Sequence, residues 1–322
     1  MELGGIIAYL VSLAILAGIY AVFTLGLNIQ WGYTGLFNIG IAGFFCIGAY
    51  TSALITTPMP TGIYAQYVHQ IFGWNLPFIF GILGAALVCG LIAILIGFPT
   101  LKLREDYLAI TTIGIAETIR LVFNNEQWLA NGPRGLMGLP QPLQEWINPR
   151  DYNYLYLVIV ILILVVIYLA IERAIRSPWG RVLRAIREDE ISTAMSGKDI
   201  FYFKMQSLIL GSMIMGIGGA LYAHYTKSIS PDVFTPLYGT FIIWVMIIVG
   251  GSGNNKGAIL GAFVVWGIWI GTKFMTDLLP YTLKARAPYI RFLLIGILLE
   301  FILIYRPQGL LGEEKRVSKM IE

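Results

Sequence analysis

The chain has 322 residues, 57% of them hydrophobic and only 12% charged, with a formal net charge of +4. Soluble domains use roughly 25% charged residues, so this composition excludes an ordinary water-soluble fold. The basic residues sit between apolar runs and form no groove interleaved with aromatics, which argues against nucleic acid as a partner.

Apolar runs of about 18 to 25 residues recur along the chain, the length a helix needs to cross a hydrocarbon layer about 30 Å thick. Their backbone groups are satisfied internally only as helices. The expected fold is therefore all-α: a polytopic transmembrane helical domain of about nine spans. The first run, "GGIIAYLVSLAILAGIYAVFTLGL", lacks a basic flank, is too long for a signal h-region and shows no small-residue cleavage pattern. It reads as a retained span over 6–28. Further spans are predicted over 36–56, 78–98, 107–123, 154–172, 205–225, 238–250, 258–276 and 288–305. The fourth and seventh are short enough to be broken or partly re-entrant. No low-complexity linker divides the chain, so 1–322 reads as one transmembrane domain with a long charged loop, 173–204, inside it.

Charge orients the spans. With 173–204 in the cytoplasm, alternation places Lys102, Arg104, Arg173, Arg176, Arg181, Arg184, Arg187, Lys198, Lys204, Lys256, Arg306, Lys315, Arg316 and Lys319 inside. Only Arg120, Arg134, Arg150, Lys227, Lys273, Lys284, Arg286 and Arg291 fall outside or near outer span ends. This bias predicts an external N-terminus and a cytoplasmic C-terminus. The external side then carries three connections rich in Pro, Gly and aromatics, with Trp74, Trp128 and Trp146 suited to the interfacial belt. They form the natural docking face for something outside.

Much of the abundant glycine lies inside spans: Gly40, Gly43 and Gly48; Gly211, Gly216, Gly218 and Gly219; Gly257 and Gly261. Small residues let helix backbones approach closely, which serves packing alone or packing that also lets helices slide. "GYTGLFNIGIAGFF" and "GGSGNNKGAILGAF" share a Gly-x-x-Gly opening before a small-residue helix, a hint of an internal repeat.

Ionisable groups inside the spans are few. Glu117 and Arg120, one turn apart, pair with each other near the outer end of their helix. Glu300 lies close to the inner interface, Asp277 and Lys273 sit at a span end, and His224 reads as a packed or wet histidine before a proton switch. Nothing resembles a relay of carboxylates across the bilayer. Cys46 and Cys89 lie in apolar segments and read as small buried hydrophobes. "GGSGNNKG" (250–257) has the glycines of a phosphate loop but not its pattern: two asparagines separate Gly253 from Lys256, and Gly257 stands where Ser or Thr would reach magnesium. With no metal-binding or nucleophile motif either, no catalytic residue, metal ligand or bound cofactor is assigned.

The most polar stretch, "SPWGRVLRAIREDEISTAMSGKD" (177–199), opens with Ser177 as a helix cap and Pro178 at the first helical position. Leu183, Ile186, Ile191, Ala194 and Met195 form a broken apolar stripe on the helix that follows. Arg181, Arg184 and Arg187 form a basic row, Arg184 can pair with Glu188, and Gly197 ends the helix. Such a helix could lie on anionic lipid. The block Glu188, Asp189 and Glu190 would be repelled there, so a groove on a partner protein fits better.

Together, "WGYTGLFNIGIAGFFCIGAY", "DYLAITTIGIAETIRL", "SPWGRVLRAIREDEISTAMSGKDIFYFK", "GALYAHY", "SPDVF" and "IIVGGSGNNKGAILGA" resemble the permease subunits of branched-chain amino acid ABC importers, over about residues 24–311. The resemblance implies a heterodimer with a second related permease, two cytoplasmic ATP-binding subunits that use ATP and magnesium, an external substrate-binding protein, and the inner membrane of the cell. It also implies that "LRAIREDEISTAMSG" holds a helix gripped by the ATPase. Its contact candidates are Arg181, Arg184, Ile186, Arg187, Glu188, Asp189, Glu190, Ala194 and Gly197. Glu190, Ala194 and Gly197 match an E-x-x-x-A-x-x-G loop signature, although Ser192 and Thr193 depart from its small apolar core. Urea and short-amide permeases belong to the same family, and the sequence does not separate their solutes. A path lined by Asn38, Thr51, Ser52, Thr111, Thr112 and Thr240 would suit a small zwitterion; each hydroxyl could equally back-bond to its own helix. An ion-driven carrier is disfavoured by the scarcity of buried charge, and a membrane enzyme by the missing catalytic constellation.

Overall fold

The computed structural model describes residues 3–66, 68–149, 151–277 and 287–313, and these are helical almost throughout. Arg150, Lys284, Arg286, Lys315, Arg316 and Lys319 of the charge count, and the side chains of Lys273 and Asp277, lie outside the described residues. The helices are α1 (Leu3–Leu27), α2 (Ile41–Thr56), α3 (Phe78–Thr100), α4 (Glu105–Asn125), α5 (Gln127–Ala130), α6 (Tyr152–Arg176), α7 (Pro178–Glu188), α8 (Glu190–Met195), α9 (Ile200–Thr226), α10 (Ile242–Gly250), α11 (Asn255–Asp277) and α12 (Ala287–Tyr305). Among the described residues, four stretches, Gly5–Tyr33, Phe78–Thr100, Tyr152–Arg176 and Ile200–Thr226, are long and apolar enough to cross a membrane. Ile41–Thr56 and Leu237–Gly250 are apolar but shorter.

Helix α9 is the mast of the bundle, packed against α1, α2 and α3. Glycine makes this possible. A Cβ added at Gly48 would fall 2.3 Å from the carbonyl oxygen of Gly216, one at Gly219 2.5 Å from that of Phe45, and one at Gly216 2.6 Å from Cys89 Sγ. Here the backbones themselves touch, which replaces the hydrophobic drive that lipid does not supply. Around this centre α1 packs on α6 and α11, α2 on α4, and α10 and α12 on α11.

Two helices are broken. Helix α1 ends in a π-helical turn, Asn28–Tyr33, and the chain then runs without helix from 34 to 40. The predicted span over 36–56 therefore begins late, at Ile41. Gly35, at φ +77°, is in the left-handed region that a helix excludes. A second π-helical turn, Leu237–Phe241, precedes α10. Irregular backbone in a bundle survives only where protein satisfies it, and side chains from four segments do so here. Thr112 Oγ1 accepts from Ile39 N at 3.1 Å, and Asn38 Oδ1 from Gly40 N at 2.7 Å. Thr240 Oγ1 accepts from Ala42 N at 3.1 Å and donates to Ile39 O, while Trp244 Nε1 donates to Asn38 O. Gln30, buried at the end of α1, receives Asn38 Nδ2 at 2.8 Å and donates to Leu208 O in α9.

At the end of the bundle away from α7 and α8, the connections are ordered by pairing. Strand β1 (Leu136–Met137) runs antiparallel to β2 (Ser228–Ile229), and Leu139 N donates to Lys227 O. His224, buried near the end of α9, ties three segments: its Nε2 lies 2.9 Å from Ser52 Oγ in α2 and its Nδ1 2.7 Å from Pro140 O.

Candidate functional site

The charged stretch after α6 is two helices, not one. Gly180 allows the sharp turn from α6, since a Cβ there would fall 2.2 Å from Ile175 O. Pro178 opens α7 as expected, but Ser177 does not cap it: its hydroxyl donates back to Ala174 O at 2.6 Å. Leu183 and Ile186 are buried, so the apolar stripe of α7 seats that helix on its own chain. Trp179 Nε1 adds a bond to Gln206 Oε1 at 2.7 Å.

At Asp189 the backbone becomes extended, with φ −157° and ψ 107°, and the expected single helix breaks. The physical reason is a cap: Asp189 Oδ1 accepts from Ile191 N and Ser192 N, and Oδ2 from Ser192 Oγ at 2.6 Å. The Ser192 hydroxyl and then the backbone amides hold the Asp189 carboxyl below its ordinary range. Helix α8 is anchored from below by Thr193, buried with its hydroxyl on Asp189 O, and by an ion pair from Glu190 to Lys204 at the base of α9. Its remaining apolar residues point away: Ile191 is 72% and Met195 85% exposed, and Ala194 is exposed between them. Gly197, at φ +77°, ends the helix as predicted. Beside α8 a cleft of about 530 Å³ is lined by Arg181, Val182, Ala185, Glu188, Ser192 and Lys198, among others.

The basic row has other partners than expected. Arg184 pairs with no residue of its own helix; its guanidinium lies 5.6 Å from the centre of the Tyr33 ring and its Nε 3.9 Å from Glu313 Oε1. Arg187 donates to Gly32 O, on the π-turn ending α1, and to Glu313 Oε2 at 2.6 Å. Asn28 in that same turn accepts from Gly253 N and donates to Asn255 Oδ1, both at 2.9 Å, and Asn255 Nδ2 donates to Glu172 in α6 at 2.9 Å. The segment after α12 lies across this cluster, with Leu310 N and Leu311 N donating to Val249 O and Gly250 O. The "GGSGNNKG" turn is thus a packing corner: its Lys256 and Gly257 amides bond Asn254 Oδ1, and Gly250 approaches Gly257 too closely for a side chain. The two stretches with Gly-x-x-Gly openings meet here.

Sequence reasoning missed Asn28, Gly32 and Glu313. Asn28 and Gln30, polar residues closing an apolar run, carried a usable signal; nothing marked Glu313.

The family model for the branched-chain amino acid transport system permease component matches residues 9–303. The chain belongs to that family. The probable branched-chain amino acid transport permease protein LivM of Methanocaldococcus jannaschii is 30% identical over 94% of this chain and 92% of its own length. The high-affinity branched-chain amino acid transport system permease proteins LivM of Escherichia coli and Salmonella typhimurium are each 31% identical, over 94% of this chain and 69% of theirs. No solved structure matches. This permease is therefore a multi-pass helical membrane protein and a transport component.

Within the permease, the six polar residues predicted along a path divide in two. Asn38, Thr112 and Thr240 are buried and hold the break before α2, and Ser52 is buried against His224. Thr51 and Thr111 are half-buried on α2 and α4.

Proposed function

We propose that this chain is the permease subunit of an ATP-driven importer for branched-chain or other neutral amino acids in the inner membrane of the cell. The observation that carries this reading beyond the family is α8. An isolated six-residue helix, capped at Asp189 and pinned through Glu190, presents Ile191, Ala194 and Met195 outward beside a cleft. Apolar residues of a short amphipathic helix that stay exposed among the described residues suit a groove on another protein.

In this reading 1–322 is one transmembrane domain of about nine spans, some short or broken, with its N-terminus external and its C-terminus cytoplasmic. The segment 173–204 is its coupling loop. Two cytoplasmic subunits bind ATP with magnesium and grip α8, while Arg181, Glu188 and Gly197 border the grip and Arg184, Ile186 and Arg187 fix α7 to the bundle. A second related permease completes the membrane unit, and an external binding protein delivers the solute to the opposite end. Thr51 and Thr111 line the path; Asn38, Ser52, Thr112 and Thr240 shape it by holding the broken α2 and the external connections.

The test is an Ile191→Glu, Met195→Glu double variant in the complete complex. Uptake and solute-stimulated ATP hydrolysis should both fall at least tenfold while the permease remains folded. Unchanged uptake and hydrolysis would remove α8 from the coupling role.

A further inference from the structure

The outward faces of two long helices are apolar between their ends. Leu83, Leu87, Leu91 and Leu95 stand exposed on α3, and Val158, Leu162, Val165 and Leu169 on α6, whereas α12 exposes Glu300 near its end. Helix α4 differs. Its inner face, Ala109, Thr112 and Ala116, packs on α2, where Gly43 meets Ala116 and Phe123 stacks on Tyr50 at 4.2 Å. Its outer face carries Tyr107, Thr111, Gly114, Glu117 and Thr118 among the apolar residues, and a Cβ added at Gly114 would meet nothing within 4 Å. Glu117 and Arg120 form a forked ion pair on this helix: Arg120 Nε reaches the two carboxylate oxygens at 3.1 and 3.0 Å and Nη2 reaches Oε1 at 2.5 Å. The Glu117 side chain is 36% exposed and that of Arg120 16%.

A part-exposed ion pair eight and five residues inside the end of α4, at Asn125, is costly against hydrocarbon. Glycine and threonine beside it offer lipid no better match. Both features suit a face turned to another permease helix with water between. We propose that Glu117 and Arg120 are the charge-matched docking site for a zwitterionic amino acid moving along α4, in the seam with the second permease subunit. The inference rests on the importer reading above. Its chemistry is an exchange of partners: the solute carboxylate takes the Arg120 fork, which matches it bidentately, and the solute ammonium takes the Glu117 carboxylate. Every charge stays paired throughout. A solute with one charge would strand one member of the pair in a poorly solvated seam, and an uncharged amide or urea has no charge to exchange. The pair thus favours amino acids over the uncharged solutes that related permeases carry.

The test uses the whole complex in proteoliposomes, with L-leucine as the probe. Cys46 and Cys89 of this chain are buried, so a thiol reagent in water, read on the permease subunit after the complex is taken apart, reports on a Thr118→Cys variant. Expected are labelling at Thr118→Cys at least tenfold faster than at Leu162→Cys on α6, and slower labelling in saturating L-leucine. The Glu117→Gln, Arg120→Gln double variant keeps a hydrogen-bonded pair without charge. It should assemble in normal yield, lose L-leucine uptake about tenfold and lose the L-leucine protection at position 118. Protection absent from Thr118→Cys in the otherwise unaltered complex overturns the proposal even if the double variant fails to assemble. So does wild-type uptake by an assembled double variant. Failure of the unaltered complex to import L-leucine would instead count against the importer reading, and the labelling contrast between α4 and α6 would still report whether this face meets water.

Discussion

Adding one methyl group at Gly48 tests the central contact of the bundle. The new Cβ of Gly48→Ala would lie 2.3 Å from Gly216 O and 2.6 Å from Gly216 Cα, where ordinary contact begins at 3.4 Å. Relief requires α2 and α9 to part by about 1 Å, because the obstacle is backbone and no side chain can swing aside. Overpacking of this kind costs about 1–3 kcal/mol. Replacing glycine in a helix recovers about 1 kcal/mol, which leaves a net loss of about 0–2 kcal/mol, placed at the upper end here because the obstacle is backbone, and further loss if α3 is displaced through Gly216. Thermal unfolding of the purified permease in a mild detergent, followed by tryptophan fluorescence, reads the change. Gly267→Ala is the control: nothing lies within 4 Å of its added methyl, so it should unfold at or slightly above the wild-type temperature. If Gly48→Ala unfolded as late as Gly267→Ala, backbone contact between α2 and α9 would not be what holds the bundle.

Arg187→Ala removes the bonds to Gly32 O and Glu313 and should loosen the 306–313 segment by about 1–2 kcal/mol, discounted for the partial exposure of both side chains. Faster protease cleavage after α12, with the rest of the chain intact, is the expected readout. The lowered Asp189 pKa means its cap strengthens α8 fully above the unfolded value near 3.8 and is lost as pH falls through the folded value. Hydrogen exchange at 191–193, corrected for its intrinsic pH dependence, should rise steeply only below about pH 4, and Asp189→Asn should flatten that dependence. His224→Leu strands the Ser52 hydroxyl and Pro140 carbonyl and should cost about 2 kcal/mol. The 136–140 connection should then become protease-sensitive.

The regular helices were legible because long apolar runs admit one solution in lipid. All nine predicted spans have a helix within a few residues of their bounds, apart from the late start of α2. That exception was written in Gly35 and in polar residues whose partners, Thr112 and Thr240, are far away in sequence. The break at Asp189 was legible in principle, since aspartate is a favoured N-cap residue, but the charge block around it reads equally well as a polar face. The partners of Arg184 and Arg187 were not legible at all. An i+4 glutamate was the local choice, and the observed one, Glu313, is more than a hundred residues away.

Helix α8 hangs between two points where the backbone leaves helical geometry, the extended Asp189 and the left-handed Gly197. Mechanically these are swivels. In the proposed complex, a partner seated on Ile191 and Met195 would meet a helix set off from α7 and α9 by these two joints, so thrust would pass more readily than torque. What ties α8 to the rest of the chain is the buried Thr193 and the Glu190–Lys204 pair at the foot of α9. Since α9 touches α1, α2 and α3 backbone to backbone, a push at that foot in the proposed complex would bear on three helices at once, less like a hinge than like a piston rod in a close-fitting sleeve.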